Sequence, residues 1–526
     1  MRRGPICRGG ICRAWGVALM VALSPAFVGG LAAAPAPDPN GIVRFYDSAG
    51  NETLDPAHPQ TSSSFSQEVP MAVYDTLIRL DPVGKVQPGL AASWSYNADH
   101  TEFTMKLRPG VVFHDGTLLT ADAVKRNFER SMALGNRASA SMVESFRDVA
   151  SVEAVGDDTV RLKLKRPSGQ MEYVFAFVAG MMASPAAFAN DAFGATFKPI
   201  GAGPYMVKAF DPNVTTTLAR FDKYWGGSAN RPAGFEHHYV PEGRARLNAL
   251  RSGEANVALI EPRQIAEAKQ AGLDVKINEK NSVWDIYINV SRPTTGKLAF
   301  RQAMMHAIDR EALADALTFG SGKPTVQIVS SKSPVYDPAL DKLFPFDQDK
   351  ARKLLAEAGY KDGADLTMLL LNTPEYKQIA EALQAMLGEV GIRLTFDTVD
   401  VSQFTLFRRP PPRGDVMLAR WGGRPDPAQA YAELAGTGGA YNPVGVASPE
   451  IDKLIAQARG LSADNPERAG VMRALNRATV ESAANIPLMS RSNVYAYKPG
   501  CIGGLDSYLP AGDDKFNDVT IGAGCK

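Results

Sequence analysis

Val283-Trp284-Asp285-Ile286-Tyr287-Ile288-Asn289-Val290 alternates with the period of a strand. Trp284, Ile286, Ile288 and Val290 share one face, as expected of a strand with at least one buried side. The period then changes. Over residues 298–317, Phe300, Met304, Ile308 and Leu313 recur near helical spacing, and residues 349–358 read as a second helix ended by Gly359. A strand over 366–371, a helix over 376–390 and strands over 392–398 and 415–421 follow. Helices over 449–459 and 466–483 precede a terminal strand over 488–497. Strands alternating with helices predict an α/β fold with mixed sheets rather than a barrel. A ligand site in such a fold lies where loops at strand ends face one another across a domain boundary.

Working back toward the N-terminus, residues 42–45 read as a first strand, 47–66 as a polar loop and 69–80 as a helix. Residues 94–96, 102–107 and 160–164 look like strands of a small mixed region. Phe113-His114-Asp115-Gly116 is a turn. Thr120 then caps a helix over 121–134, with Asp122 favoured in its first turn by the helix dipole. Gly201-Ala202-Gly203-Pro204-Tyr205 leads into a strand over 205–210. It is no phosphate loop, because Pro204 removes a backbone donor and no G-x-x-x-x-G-K-[ST] follows. A short helix over 244–252 and a buried strand over 255–259 close this half.

The ends carry a different signal. Arg2, Arg3, Arg8 and Arg13 precede an apolar run from Ala14 to Val28, and small residues follow to Ala34. A basic segment, a short apolar run and a small-residue zone read as a cleavable export signal over residues 1–34. The run is shorter than the roughly 20 residues a membrane span needs. Cys7 and Cys12 precede it, so neither sits where a lipoprotein acylation site would. Cys501 and Cys525 remain, an even pair in an oxidising compartment, which predicts a disulfide. A metal there needs two more ligands, and no His is near either cysteine. Without the four leader arginines the chain has 53 basic and 56 acidic residues. That balance gives no broad electrostatic drive toward nucleic acid or anionic lipid. With 45% hydrophobic and 21% charged residues, the body is ordinary globular material. Roughly 490 residues beyond the leader exceed what one core usually holds, so two or three lobes are expected.

No G-x-S-x-G, H-E-x-x-H or Cys/His catalytic pair is present, which argues against an enzyme, a secreted hydrolase included. His237 and His238 are adjacent on a strand-like segment and point to opposite faces, a poor metal pair. Met181-Met182 and Met304-Met305 read as core filling, and the prolines of residues 408–413 mark an exposed loop. No metal or cofactor is expected.

A longer series of matches carries a family resemblance. Leu54-Asp55-Pro56, Val73-Tyr74-Asp75-Thr76-Leu77 and Val86-Gln87-Pro88-Gly89-Leu90-Ala91 with Trp94 occur in order. Phe103 to Phe113, Asp115-Gly116-Thr117 and Thr120-Ala121-Asp122-Ala123-Val124 form the most specific stretch. Gly203-Pro204-Tyr205, Tyr224-Trp225, Asn289, Phe300-Arg301-Gln302-Ala303, Ala307-Ile308-Asp309 and Ile486-Pro487-Leu488 complete it. The chain thereby resembles the family 5 solute-binding proteins of ABC transporters for peptides, opines and nickel, over about residues 42–497. The resemblance implies a periplasmic binding protein-like fold with two lobes joined by a two-crossing hinge. Lobe I would take residues 38–283 and 493–526, with a side subdomain at 71–166, and lobe II residues 284–492. The crossings would lie near Trp284–Asn289 and Leu488–Asn493. The implied function is a periplasmic, monomeric receptor that closes on a small ligand and delivers it to an inner-membrane ABC permease, with no nucleic-acid partner.

The resemblance also implies where the ligand sits. Peptide-binding relatives use a Trp-x-x-Asp motif whose carboxylate takes the peptide amine. The matching stretch here is Trp421-Gly422-Gly423-Arg424-Pro425-Asp426-Pro427, with Arg424 in the place of the acid and Asp426 two residues on. The Arg that clamps a dipeptide carboxyl terminus is replaced by Leu370-Leu371-Asn372. Burying an ammonium or carboxylate without a counter-charge is costly, so a free dipeptide fits poorly. Arg424 suits a ligand carboxylate or phosphate, Trp421 a flat apolar wall, and Gly422, Asp426, Asn289, Tyr287 and Asn372 join the candidate set. The bland alternative pairs Arg424 with Asp426 or Asp415. The expected ligand is anionic: a modified peptide, an opine-like conjugate or another carboxylate. Ordinary peptides, or a sensor or chaperone role on the same fold, stand as alternatives.

Overall fold

In the computed structural model, residues 283–288 of the alternating stretch end a fifteen-residue strand, Asp274–Ile288, while Asn289 and Val290 lie beyond it, at the start of a turn. The structure describes residues 37–525 apart from 60–66, 82–83, 401–402, 404–405, 408–411, 425, 440, 443–447 and 506–517. The expected leader therefore lies outside the described residues, as do Pro425, part of the 408–413 loop and part of the C-terminal segment. No helix among the described residues is long and apolar enough to cross a membrane.

Asp274–Ile288 and a second long strand, Asn485–Tyr497, run antiparallel side by side at the centre of a ten-stranded mixed sheet. On one side Asp274–Ile288 pairs antiparallel with Val416–Trp421, which is parallel to Ala364–Leu371, itself parallel to Ile392–Val399. On the other, Asn485–Tyr497 pairs with Val257–Ile260, followed by Ile42–Asp47, Gly234–Tyr239, Thr215–Arg220 and Tyr205–Asp211. The pairing of the two long strands is irregular between Glu279 and Val283 and between Trp284 and Asp285. The break opposite Ser490–Ser492 thus falls a few residues before the expected crossing at Trp284–Asn289. A separate four-stranded antiparallel sheet orders Ala91–Tyr96, Glu102–Leu107, Thr159–Leu164 and Val149–Val155, with helix Ala121–Leu134 against it.

Burial follows the strand period. Phe45, Val257 and Tyr495 point into a core that draws its other residues from 43–235 and 501–521. Their neighbours Tyr46, Ala258, Val494 and Ala496 point into a small core on the opposite face with Leu247, Leu250 and Ile265. The largest core is built from residues 283–489. His237 and His238 obey the same rule: His237 is buried 3.4 Å from Asp47, and His238 stacks on Tyr46. No group of His, Cys, Asp or Glu among the described residues is placed to hold a metal.

Two helices are shorter than their apolar spacing predicts. The expected 69–80 helix is Glu68–Tyr74, followed by strand Ile78–Leu80. It stops because Asp75 takes φ +50°, where its carboxylate receives Arg79, Tyr224 and the Trp225 Nε1 proton at 3.0 Å. Charge-assisted bonds of this kind offset the strain of a non-glycine residue there. The expected 298–317 helix is two, Leu298–Ala307 and Arg310–Thr318. Ile308 is extended, and the Asp309 side chain caps the second helix on the Ala312 N–H at 2.9 Å. By contrast Ala121–Leu134 keeps its expected bounds, with the Thr120 hydroxyl accepting from Ala123 at 3.2 Å. Cys501 and Cys525 form a disulfide, Cα atoms 5.5 Å apart.

Candidate ligand-binding site

Val416–Trp421, Ala364–Leu371 and Ile392–Val399 are parallel, so their carboxyl ends share one edge of the sheet. That edge abuts the break between the long strands, because Trp421 pairs with Val283 and the Ser282 hydroxyl donates to the Trp421 carbonyl at 2.6 Å. Open α/β sheets bind ligands at this kind of edge. Gly423 turns the chain there with φ +69°, a conformation that favours glycine. Asp426 and Pro427 then start helix Pro427–Leu434, the Asp426 carboxylate accepting from Ala428 at 3.0 Å.

The loop is dense with charge and aromatic rings. Trp421 is 1% exposed. The Arg424 guanidinium lies 4.6 Å from its ring centroid, and Tyr441 meets the indole edge-on at 5.4 Å. Arg424 holds the Glu433 carboxylate through both Nε, at 2.9 Å, and Nη2, and donates from Nη1 to the Gly423 carbonyl at 2.7 Å. Burial works against the Arg424 charge, but Glu433 and the Tyr441 hydroxyl outweigh it and hold its pKa above the ordinary value. Its partner is therefore Glu433 at the end of the following helix, and neither Asp426 nor Asp415. Asp426 is 2% exposed and takes Arg468 at 2.5 Å; Asp415 accepts from the Thr367 N–H and pairs with Arg292.

The remaining candidates separate. Tyr287 is buried and meets Tyr441 edge-on at 5.2 Å, which links it to Trp421 through a shared ring. Burial, then Tyr441 and Asp285, push its hydroxyl well above the ordinary range. Gly422 sits between strand and turn, half-buried. Asn372 follows Ala364–Leu371 at the same edge, its N–H bonded to Val399 at 3.0 Å. Asn289 lies at the other end of the sheet. It follows Ile288, which pairs with the first residue of Val416–Trp421, and its side chain donates to Gly414 and accepts from Ser291. It ties a turn, and the structure does not bring it to Trp421.

Several residues at the edge went unread in the sequence. Glu433 could have been found from Asp426-Pro427, a helix start that places it in the last turn. Arg420, opposite Trp284, lies 5.9 Å from that indole and 6.0 Å from the Tyr376 ring, and 3.9 Å from Glu375. Arg491 lies 6.0 Å from the same indole. These contacts join residues 44 to 207 positions apart, and no local pattern marks them.

Residues 85–443 match the family of bacterial extracellular solute-binding proteins, family 5. The glutathione-binding protein GsiB of Escherichia coli K12 is 29% identical over 354 residues, 67% of this chain and 68% of that one. The ABC transporter substrate-binding protein CtaP of Listeria monocytogenes superposes with a TM-score of 0.79 at 24% identity, over 92% of this chain and all of that one. AgaA of A. tumefaciens R10, solved with agropinic acid, gives a TM-score of 0.74 at 25% identity over 91% and 99%. The mixed sheet, the strand-end loop and the extent of the family match together assign the chain: it belongs to the family 5 extracellular solute-binding proteins, the substrate-binding components of ABC transporters.

Proposed function

We propose that this chain is an exported receptor of an ABC importer whose two lobes close on a small carboxylate-bearing ligand, a modified peptide or an opine-like acid, at the Trp421–Asp426 loop. Family 5 proteins are periplasmic or extracellular and carry small ligands to a permease. The ligand class rests on one observation, the placing of charge at the loop. Asp426 is buried and neutralised by Arg468, whereas the Arg424 and Arg420 side chains keep 27% and 26% exposure. A ligand carboxylate can replace Glu433 on Arg424 as one charge-assisted acceptor for another. A ligand ammonium finds its acid already committed, and burying it unpaired is costly. The Trp421 Nε1 and the Tyr431 hydroxyl are buried without a hydrogen-bond partner, donors that a ligand oxygen would satisfy. GsiB, named for glutathione, and AgaA, solved with agropinic acid, are relatives whose ligands agree with this class.

The plain-peptide reading keeps one observation in its favour: Asp426 Oδ2 is also without a partner. Calorimetry separates the two. Glutathione or agropinic acid should bind and an unmodified dipeptide should not, and Arg424→Ala should weaken the acid by about tenfold or more. Micromolar binding of the dipeptide, with neither acid bound, would discard the carboxylate reading.

A further inference from the structure

The cores built from 43–257 and from 283–489 also touch outside the crossing strands. The Gly169 N–H donates to the Arg459 carbonyl at 2.7 Å. Glu172, 1% exposed, accepts from the Tyr96 hydroxyl at 2.5 Å on its own side and from the Ala463 N–H opposite. The Arg468 guanidinium lies 5.2 Å from the Tyr173 ring centroid while it donates to Asp426. A Cβ on Gly169 would come within 2.5 Å of the Leu461 carbonyl carbon. Its φ is one that other residues adopt, so close approach alone calls for glycine.

We propose that residues 168–173 and 459–468 form a clasp that holds the ligand cleft shut, and that Arg468 is the positioning residue joining this clasp to the ligand loop. This rests on the two-lobe capture proposed above. The chain of contacts is continuous. Tyr173 docks on Arg468; Arg468 holds Asp426; Asp426 caps Pro427–Leu434; and Glu433 at the far end of that helix holds Arg424 over Trp421. The clasp is also built to release. Ser168 Oγ, Gln170 Oε1 and Arg459 Nε are buried there without hydrogen-bond partners. Such groups regain water when the contact opens, which keeps the closed form only marginally favoured. Burial pushes the Glu172 carboxyl up to about 7, against the bonds from Tyr96 and from backbone N–H groups, with Asp464 raising it further. Arg468 is the cation that faces it.

Gly169→Ala is the direct test, with Gly470→Ala, outside the clasp, as control because a Cβ there meets nothing within 4 Å. Small-angle scattering and hydrogen exchange are measured on the full chain as purified and after bound small molecules are stripped. Wild type and Gly470→Ala should be compact as purified and expand on stripping. Gly169→Ala should be expanded in both states, with exchange of the residue-169 amide about tenfold faster and an unchanged circular dichroism spectrum. Tyr173→Leu supplies a second readout: amides of 427–434, across the contact, should exchange about tenfold faster while those of 174–180 keep their rates. Deprotection confined to 174–180 would make Tyr173 a core residue only and remove the link through Arg468. A wild type that opens on stripping and a Gly169→Ala protein that closes like it would sink the clasp alone. A wild type with one scattering curve in both states would sink the two-lobe capture and the clasp with it.

Discussion

The 283–489 core is joined to the rest of the molecule in two unlike ways. At the crossing, Asp274–Ile288 and Asn485–Tyr497 share a backbone ladder broken only briefly, and a neighbouring segment clamps the break. Ser330 and Ser331 donate to the Glu279 carboxylate, the Ser330 N–H donates to the Asn281 side chain, the Lys323 N–H donates to the Ser490 hydroxyl oxygen and the Ser490 N–H to the Lys323 carbonyl. At the 168–173/459–468 contact there is one backbone–backbone bond, one bond from the Ala463 N–H to the Glu172 carboxylate, the Tyr173 side chain against the Arg468 guanidinium, and three buried polar atoms without partners. The difference is between a join made while the chain folds and one weak enough to be remade at each binding event. Covalent continuity and a filled core keep the first; the second has little to lose by opening.

The largest effect is expected at Tyr495, fully buried on the crossing strand Asn485–Tyr497. Tyr495→Ala should cost about 3–5 kcal/mol of global stability in urea unfolding. Gly169→Ala, by contrast, should leave that stability within about 1 kcal/mol of wild type. Equal losses would show that both joins belong to one cooperative unit. Cys501→Ser with Cys525→Ser should remove about 3 kcal/mol, read as a lower unfolding midpoint without any change in scattering, because the bridge fastens the C-terminal segment.

Two buried acids sharpen the contrast through pH. Burial raises Asp285 in the crossing to about 7 against its bond from Asn485, and Glu172 at the clasp to about 7. A raised folded-state value means the folded form binds the extra proton. The stability it lends is complete below the ordinary carboxylate range and is lost as pH climbs through about 7. The unfolding temperature should therefore fall by on the order of 5 °C between pH 5 and pH 8. Asp285→Asn should flatten that slope, while Glu172→Gln should flatten the pH dependence of compaction seen by scattering. The reverse assignment would contradict the division of labour. The smallest effect is expected at Asn289: Asn289→Ser should leave ligand affinity unchanged in calorimetry while loosening the Gly414 turn.

Local patterns carried much of the fold. Thr120 with Asp122, the period of two at residues 283–290 and the α/β alternation after residue 298 each act within a few residues, so they are legible in a chain read alone. Helix ends were read less well where a side chain changed the backbone, as Asp75 does at φ +50°. At Asp309 the apolar spacing runs on without a break, while in the structure its side chain caps a second helix. The site was legible as a loop and not as a set of partners. The resemblance implies a loop of Trp421, Arg424 and Asp426, but not its partners: Arg424 is held by Glu433 and Asp426 by Arg468, 42 positions away. Asp426 was the nearer acid in sequence, and its commitment to a helix cap is what sends Arg424 elsewhere. The contact of Gly169 with Arg459 spans nearly 300 positions and left no mark on either stretch except a glycine.

A small carboxylate-bearing molecule held at the Trp421–Asp426 loop should travel with the protein through purification. Native mass spectrometry of the full chain purified from its own host, followed by denaturation, should release one equivalent of an acid, a modified peptide or opine-like conjugate, and none from Arg424→Ala. One equivalent of an unmodified dipeptide, retained by Arg424→Ala, would overturn the carboxylate reading.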